Sequence, residues 1–295
     1  PVINRYEPNG FCQHILGYFT GSEKIIGVAG IEKRYDDILG HNSASPQLVS
    51  IADARGEAIQ GLMFKVKESN TTNRGTVVLT IDKRMQQIVE EVVNNKMQKG
   101  AVVLMDVKNK EILAVASRPT FNPYDLPNII GRQDSPLTNR AMSRYYPGSL
   151  FKILVTAAAL EERQVSLEEE FTCNGVFKFT EELSTSCWKK EGHGKVSFTQ
   201  AFAHSCNPVF IEIGLRLKRN KLEEYIEKFH LNDVTINGWK NGSEKDSFLK
   251  VRPGPAGVGN ACLGQEGIML TPVAITNLIA TIADDGKWRR PSITK

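Results

Sequence analysis

Residues 145–160 read Tyr145-Tyr146-Pro147-Gly148-Ser149-Leu150-Phe151-Lys152-Ile153-Leu154-Val155-Thr156-Ala157-Ala158-Ala159-Leu160. Pro-Gly punctuates the chain, and the long apolar run after it predicts a helix over about 149–163, with Ser149 in its first turn. Positions i and i+3 share a helix face, so Lys152 stands one turn above Ser149. A helix start offers unpaired N–H groups and a positive partial charge, which suit a serine that must become an alkoxide and then hold an oxyanion. A lysine among apolar neighbours has a lowered pKa and can act as a base toward a serine hydroxyl. The ordinary alternative is Ser149 as an N-cap and Lys152 as a snorkelling surface residue. Ser-x-x-Lys also occurs at Ser186/Lys189, Ser247/Lys250 and Ser292/Lys295, but only Ser149 follows Pro-Gly and opens a long apolar helix.

Further along, Ala203-His204-Ser205-Cys206-Asn207-Pro208 holds the one Ser-x-Asn of the chain. Ser205 is a candidate proton relay between Lys152 and a leaving amine. Asn207 is a candidate to hold Lys152 and donate to a substrate amide. Asn207 before Pro208 is also a common loop start. His204 reads as a helix-end residue and His193, between two glycines, as loop.

Composition sets the frame. The chain has 295 residues, a net charge of +4, 41% hydrophobic and 24% charged residues. These values exclude a disordered, collagenous or disulfide-scaffold class. No block of five like charges supports a nucleic-acid partner. No apolar run approaches a membrane span, and no signal peptide opens the chain. It begins at Pro1, so it reads as a piece of something longer.

The five cysteines are Cys12, Cys173, Cys187, Cys206 and Cys262, with no C-x-x-C among them. Cys173, Cys187, His193 and Cys206 could supply four soft ligands, but their spacing fits no zinc pattern, so no metal is expected. Buried thiols acting as small hydrophobes are the ordinary reading, with a Cys187–Cys206 or Cys173–Cys187 disulfide as the alternative.

Outward from the centre, 14–18 and 61–66 read as short strands, 30–40 as a helix ended by Gly40, and the polar 67–75 as a linker. Thr76–Ile81 reads as a strand, with Asp82 as N-cap of a helix to about Lys99 whose apolar face is Met85, Ile88, Val89 and Val92. Strands at 101–107 and 111–117 make an antiparallel hairpin. Helices are expected at 197–203, 208–218, 221–229 and 272–284, and 235–262 reads as a long Gly-rich loop region. A hairpin with many helices gives an α+β class, an antiparallel sheet with helices against it. The boundaries are a partial pedestal or dimerisation-like domain at 1–72 and a second domain at 73–295.

Ser149-x-x-Lys152 followed by Ser205-x-Asn207 resembles the serine acyl-transferases of the penicillin-binding-protein and β-lactamase superfamily. The resemblance continues through 100–123, Asn139-Arg140-Ala141, Tyr146–Lys152, Gly264-Gln265 and Thr271-Pro272. Residues 14–40 look like the pedestal of class B penicillin-binding proteins. Cys187-Trp188 and Gly192-His193-Gly194 ahead of Ser205-Cys206-Asn207 look like the division or sporulation branch. The resemblance implies a D,D-transpeptidase acting on peptidoglycan stem peptides through a Ser149 acyl-enzyme, with β-lactams as substrate mimics and no metal or organic cofactor. It also implies work outside the cytoplasmic membrane, an N-terminal anchor absent from this chain, and a membrane glycosyltransferase and division or sporulation proteins as partners.

One departure stands out. The family's third motif, Lys-Thr-Gly or Lys-Ser-Gly, is absent from this sequence, so the transpeptidase domain is expected to be C-terminally incomplete. In the family that strand supplies an oxyanion-hole donor, and losing one donor costs about 10²–10³ in rate. A non-catalytic cell-wall scaffold, or a D,D-carboxypeptidase or β-lactamase-type hydrolase, are the alternatives. Cys187 and Cys206 form a possible redox pair next to the site.

Overall fold

The computed structural model describes residues 6, 11–20, 26–39, 47–50, 53, 55, 64–67, 75–233, 235–239 and 249–295. They form two compact units. One holds residues 1–80, 120–137 and 294–295, the other 81–119 and 138–293.

The first unit opens with α1 (Gln13–Leu16) and an antiparallel pair, β1 (Tyr18–Thr20) with β2 (Ile26–Ala29). The strand expected at 14–18 is therefore mostly helix. Cys12 at φ 54° and Gly17 at φ 78° bracket one helical turn, and both Ile15 and Leu16 donate backbone N–H bonds to the Cys12 carbonyl at 3.0 Å. The helix expected at 30–40 divides at Tyr35 into α2 (Gly30–Arg34) and α3 (Asp36–Leu39). Next, β3 (Gln47–Ser50) pairs antiparallel with β4 (Phe64–Lys67). Residues 61–63 of the expected strand, and 68–74 of the expected linker, lie outside the described residues. The stretch 76–81 is not a strand; only Leu79 forms a bridge, to Thr294.

The second unit begins with α4 (Lys83–Lys96). Asp82 caps it, its Oδ1 accepting from the Arg84 and Met85 N–H groups at 2.9 and 3.0 Å. The buried face is not the one the apolar spacing predicts. Met85, Ile88 and Val92 are exposed, while Gln86, Glu90 and Val93 are buried. Polar groups can face inward here because each has a partner. Gln86 pairs with both backbone groups of Val115 at 2.8–2.9 Å, and Glu90 ion-pairs with Arg118. Both partners lie on the hairpin of β5 (Gly100–Met105) and β6 (Ile112–Arg118), paired from Gly100↔Arg118 onward as expected.

Helix α5 (Leu126–Ile129) belongs to the first unit. The second unit resumes with a 3₁₀ turn (Gly148–Phe151) running into α6 (Lys152–Glu161). Four short strands follow: β7 (Glu170–Cys173), β8 (Val176–Lys178), β9 (Ser184–Ser186) and β10 (Gly194–Ser197). β7 pairs with β10 and β8 with β9, both antiparallel. Then come α7 (Phe198–Ala203), α8 (Asn207–Lys228), α9 (Pro255–Cys262) and α10 (Pro272–Ala283). A left-handed residue inside α8, Lys218 at φ 65°, makes the break expected between 208–218 and 221–229.

Helix α9 was not expected within 235–262. Its glycines serve contact rather than looping. A Cβ on Gly257 would lie 2.4 Å from the Arg252 carbonyl oxygen, and one on Gly259 would lie 2.7 Å from the Phe179 ring. The core of this unit gathers Phe151, Leu154, Val155, Phe198, Phe210 and Ile211, all at most 1% exposed. Each such side chain contributes about 1.5–3 kcal/mol by burial, so the elements carrying Lys152 and Asn207 are firmly seated. The mixture of helices and antiparallel strands is the α+β class. Among the described residues, no helix is long and apolar enough to cross a membrane.

Candidate active site

Neither ordinary reading of the Ser149–Lys152 pair describes it. Ser149 lies in the 3₁₀ turn after Pro147 and makes no capping bond to α6. Its side chain is exposed. Lys152 begins α6 and is only 2% exposed, so it does not snorkel. Its Nζ lies 5.1 Å from the centre of the Phe210 ring.

The approach to Ser149 is held from a distant part of the chain. Tyr145 and Leu270 exchange both backbone hydrogen bonds at 2.9 Å, and the Gly148 N–H donates to the Gly264 carbonyl at 3.0 Å. Gly264 has φ 66°, and a Cβ there would stand 2.0 Å from the Gly148 oxygen. Only glycine fits a left-handed position in such close contact. Sequence reading found Gly264-Gln265 as part of a resemblance but gave it no role at the nucleophile turn.

The second motif arrives on the turn between α7 and α8. Ser197 opens α7 with a capping box to Gln200, and His204 closes it, as a helix-end residue should. Ser205 then takes φ 51° and Cys206 precedes the first turn of α8, with Pro208 near its start. A serine in the left-handed region carries about 1–3 kcal/mol of strain. What the conformation achieves is geometric: it points both the Ser205 hydroxyl and its carbonyl at Lys152.

The four candidate residues come together. Lys152 Nζ donates to the Ser205 carbonyl at 2.8 Å, to Ser205 Oγ at 3.0 Å and to Asn207 Oδ1 at 2.8 Å. Ser205 Oγ in turn donates to Ser149 Oγ at 2.8 Å. Asn207 is itself oriented by its Nδ2, which donates to the Ser186 carbonyl at 3.2 Å. The backbone oxygens of Ser205 and Ser186 were not foreseen, since a motif names side chains only.

Three acceptors around one nitrogen match the three hydrogens of an ammonium group. Burial nevertheless lowers the Lys152 pKa from 10.5 to about 8, with Cys206 and Cys187 opposing that shift. The neutral amine is therefore accessible near pH 8, and its lone pair can replace the bond to Ser205 Oγ. Reversing the hydrogen bonds then gives a path for a proton from Ser149 through Ser205 to Lys152.

Cys187 and Cys206, the possible redox pair, are buried free thiols. The sequence spacing fits no zinc pattern, yet the fold brings Cys173, Cys187, His193 and Cys206 into one cluster, their ligand atoms all within 4.8 Å of one another. Trp188, exposed beside them, donates its indole N–H to the His204 carbonyl at 2.8 Å.

An α+β domain with a serine-lysine-serine cluster at a helix start is the penicillin-binding fold, and comparison with known proteins gives the same class. A model described as the penicillin binding protein transpeptidase domain matches residues 100–295, and the chain belongs to that family. It is 32% identical over 302 aligned positions to stage V sporulation protein D of Bacillus subtilis, covering 99% of this chain and 45% of that protein. It is 32% identical over 241 positions to peptidoglycan D,D-transpeptidase PbpA of Mycobacterium tuberculosis, covering 74% of this chain and 48% of that protein. The chain thus spans about half the length of the curated relatives it matches. Among solved structures, penicillin-binding protein PBP2 from Helicobacter pylori superposes with a TM-score of 0.77 at 24% identity, over 98% of this chain and 59% of that one. Penicillin-binding protein A from M. tuberculosis, as its penicillin G acyl-enzyme complex, gives 0.74 at 24% identity over 98% and 67%. These two likenesses bear on the fold.

Proposed function

We propose that the protein is a serine D,D-transpeptidase that cross-links peptidoglycan stem peptides and is acylated by β-lactams at Ser149. The observation that carries this reading is the unbroken chain from Ser149 Oγ through Ser205 Oγ to the Nζ of a buried lysine.

In this reading, neutral Lys152 draws the Ser149 proton through Ser205. Ser149 Oγ attacks the carbonyl of the penultimate D-Ala of a stem peptide ending D-Ala-D-Ala. The proton returns through Ser205 to the amine of the departing terminal D-Ala. An amine of a neighbouring stem peptide then attacks the acyl-enzyme, again losing its proton toward Lys152. Asn207 keeps the lysine in place through Oδ1, and its Nδ2 carries a second hydrogen for a substrate carbonyl. A β-lactam carbonyl enters the same path, but its leaving nitrogen stays tethered to the acyl group.

Residues 1–72 would serve as part of a pedestal, and residues 73–295 as transpeptidase domain. The site would face the outside of the cytoplasmic membrane, where peptidoglycan is built. The name of the B. subtilis relative favours a sporulation role, and a solved complex of H. pylori PBP2 with MreC favours a protein partner. A membrane glycosyltransferase as a further partner is part of this proposal and rests on the family resemblance alone.

The test is covalent labelling with a fluorescent penicillin. Labelling of the wild type that is lost in Ser149→Ala supports the reading. Equal labelling of both, or none of a folded wild type, removes it.

A further inference from the structure

We propose that Cys173, Cys187, His193 and Cys206 bind one zinc ion as a closed tetrahedral centre that holds the Ser205-Cys206-Asn207 turn. The four residues come from four places: the end of β7, the residue after β9, the residue before β10, and the position ahead of α8. The pairing of Cys173 with Gly194 across β7 and β10 sets His193 beside Cys173. The N–H of Cys187 is tied to the Gly175 carbonyl at 2.7 Å.

The turns that carry the ligands are tightly built. Gly175 and Gly192 both have φ 83°, and a Cβ on Gly192 would stand 2.1 Å from the Cys173 carbonyl oxygen. Such glycine-bent turns bring backbone close so that side chains converge. With metal–sulfur bonds of about 2.3 Å and metal–nitrogen bonds of about 2.0–2.1 Å, tetrahedral geometry separates neighbouring ligand atoms by about 3.5–3.8 Å. Cys187 Sγ and His193 Nδ1 are 3.6 Å apart, and all four ligand atoms lie within 4.8 Å of one another. Only a small contraction closes the shell.

The chemistry of the set fits zinc. Three sulfurs and one imidazole are the donors of a structural Cys₃His site, and no carboxylate is among them. All three cysteines are at most 3% exposed, so water has no open position. The imidazole is fixed by its neighbours: His204 stacks on it at 5.2 Å and Trp188 meets it edge-on at 5.3 Å. On binding, three thiol protons pass to solvent as three sulfur–metal bonds form.

The consequence for the site rests on the function proposed above. Cys206 lies between the relay serine and the lysine-holding asparagine. A metal bond at its sulfur, tied to three other strands and turns, would fix the left-handed Ser205 against its strain.

The experiment starts with the protein purified under reducing conditions, supplied with zinc and then freed of loose metal. Elemental analysis is expected to find about one zinc per chain, and cobalt(II) in its place to give the ligand-field spectrum of a tetrahedral thiolate site. Cys173→Ala and Cys187→Ala should each retain under about a tenth of that metal, and Cys262→Ala should retain all of it. Removing the metal from the wild type should slow penicillin acylation by about tenfold or more. The metal readouts on the wild type need no variant to fold and no acylation to occur, so failure of Ser149 labelling leaves them standing. A folded, reduced wild type that takes up neither metal overturns the proposal. So does a Cys187–Cys206 disulfide whose reduction restores no zinc binding, or retention of the metal by both ligand variants.

Discussion

Ser205→Gly tests the proton path most sharply. Glycine removes the hydroxyl and accepts the left-handed backbone of Ser205, φ 51°, so the turn loses strain rather than gaining it. The hydroxyl sits 2.8 Å from Ser149 Oγ and 3.0 Å from Lys152 Nζ, and both links vanish with it. A positioned acid–base group contributes about 10²–10⁴ in rate. One consequence works the other way. Charged Lys152 would lose one of its three acceptors, costing about 1–3 kcal/mol, which favours the neutral amine. That gain cannot compensate, because the amine is then without its bridge to Ser149. The expected fall in the second-order acylation constant is about 10²–10³, or about 2.7–4.1 kcal/mol in barrier. Stopped-flow acylation with a fluorescent penicillin measures it, and thermal unfolding of the same sample checks that the fold is kept. A Ser205→Gly constant within about threefold of wild type at pH 8 would show that the proton does not travel through Ser205.

Lys152→Met keeps an unbranched apolar stem beside Phe210 but has no base, so acylation should fall by about 10³ or more, measured with the same assay. Because burial lowers the lysine from 10.5 to about 8, the neutral base is the scarce form below that value. The acylation rate should therefore rise about tenfold per pH unit up to about 8 and level off above it; a flat profile from pH 6 to 9 contradicts this. Gly264→Ala forces a side chain to 2.0 Å from the Gly148 oxygen at φ 66°. It should cost about 1–3 kcal/mol from backbone strain alone and impair acylation, read by denaturant unfolding and labelling together. Arg118→Ala removes the guanidinium that ion-pairs with buried Glu90, leaving the hydrogen bond from Gln86 in place, and should destabilise the second unit by about 1–3 kcal/mol in thermal or urea unfolding.

Much of the site was legible in the sequence because its residues are ordered by local structure. Pro147-Gly148 and the apolar run fix the start of α6, and i, i+3 spacing then links Ser149 to Lys152. Ser205 and Asn207 sit either side of a residue at a helix junction, which Asn207-Pro208 announces. What escaped was whatever depends on distant contact. The buried face of α4 carries Gln86 and Glu90 because the hairpin supplies their partners, which apolar periodicity does not register. The glycines within 235–262 suggest loop, whereas Gly257 and Gly259 are packed within α9; Gly264, outside that stretch, touches the nucleophile turn, a contact that the resemblance through Gly264-Gln265 does not name. The stretch 14–18 looked extended because a single helical turn is too short to show a period. The spacing of Cys173, Cys187, His193 and Cys206 resembles no metal pattern because three separate strand ends and a helix start bring them together.

The central claim is that Ser149 is the acylated nucleophile. Incubation with penicillin G, proteolysis and mass spectrometry address it directly. A single penicilloyl adduct on the peptide holding Ser149, absent from Ser149→Ala, is the expected result. An adduct on another residue, or one that persists in Ser149→Ala, contradicts it.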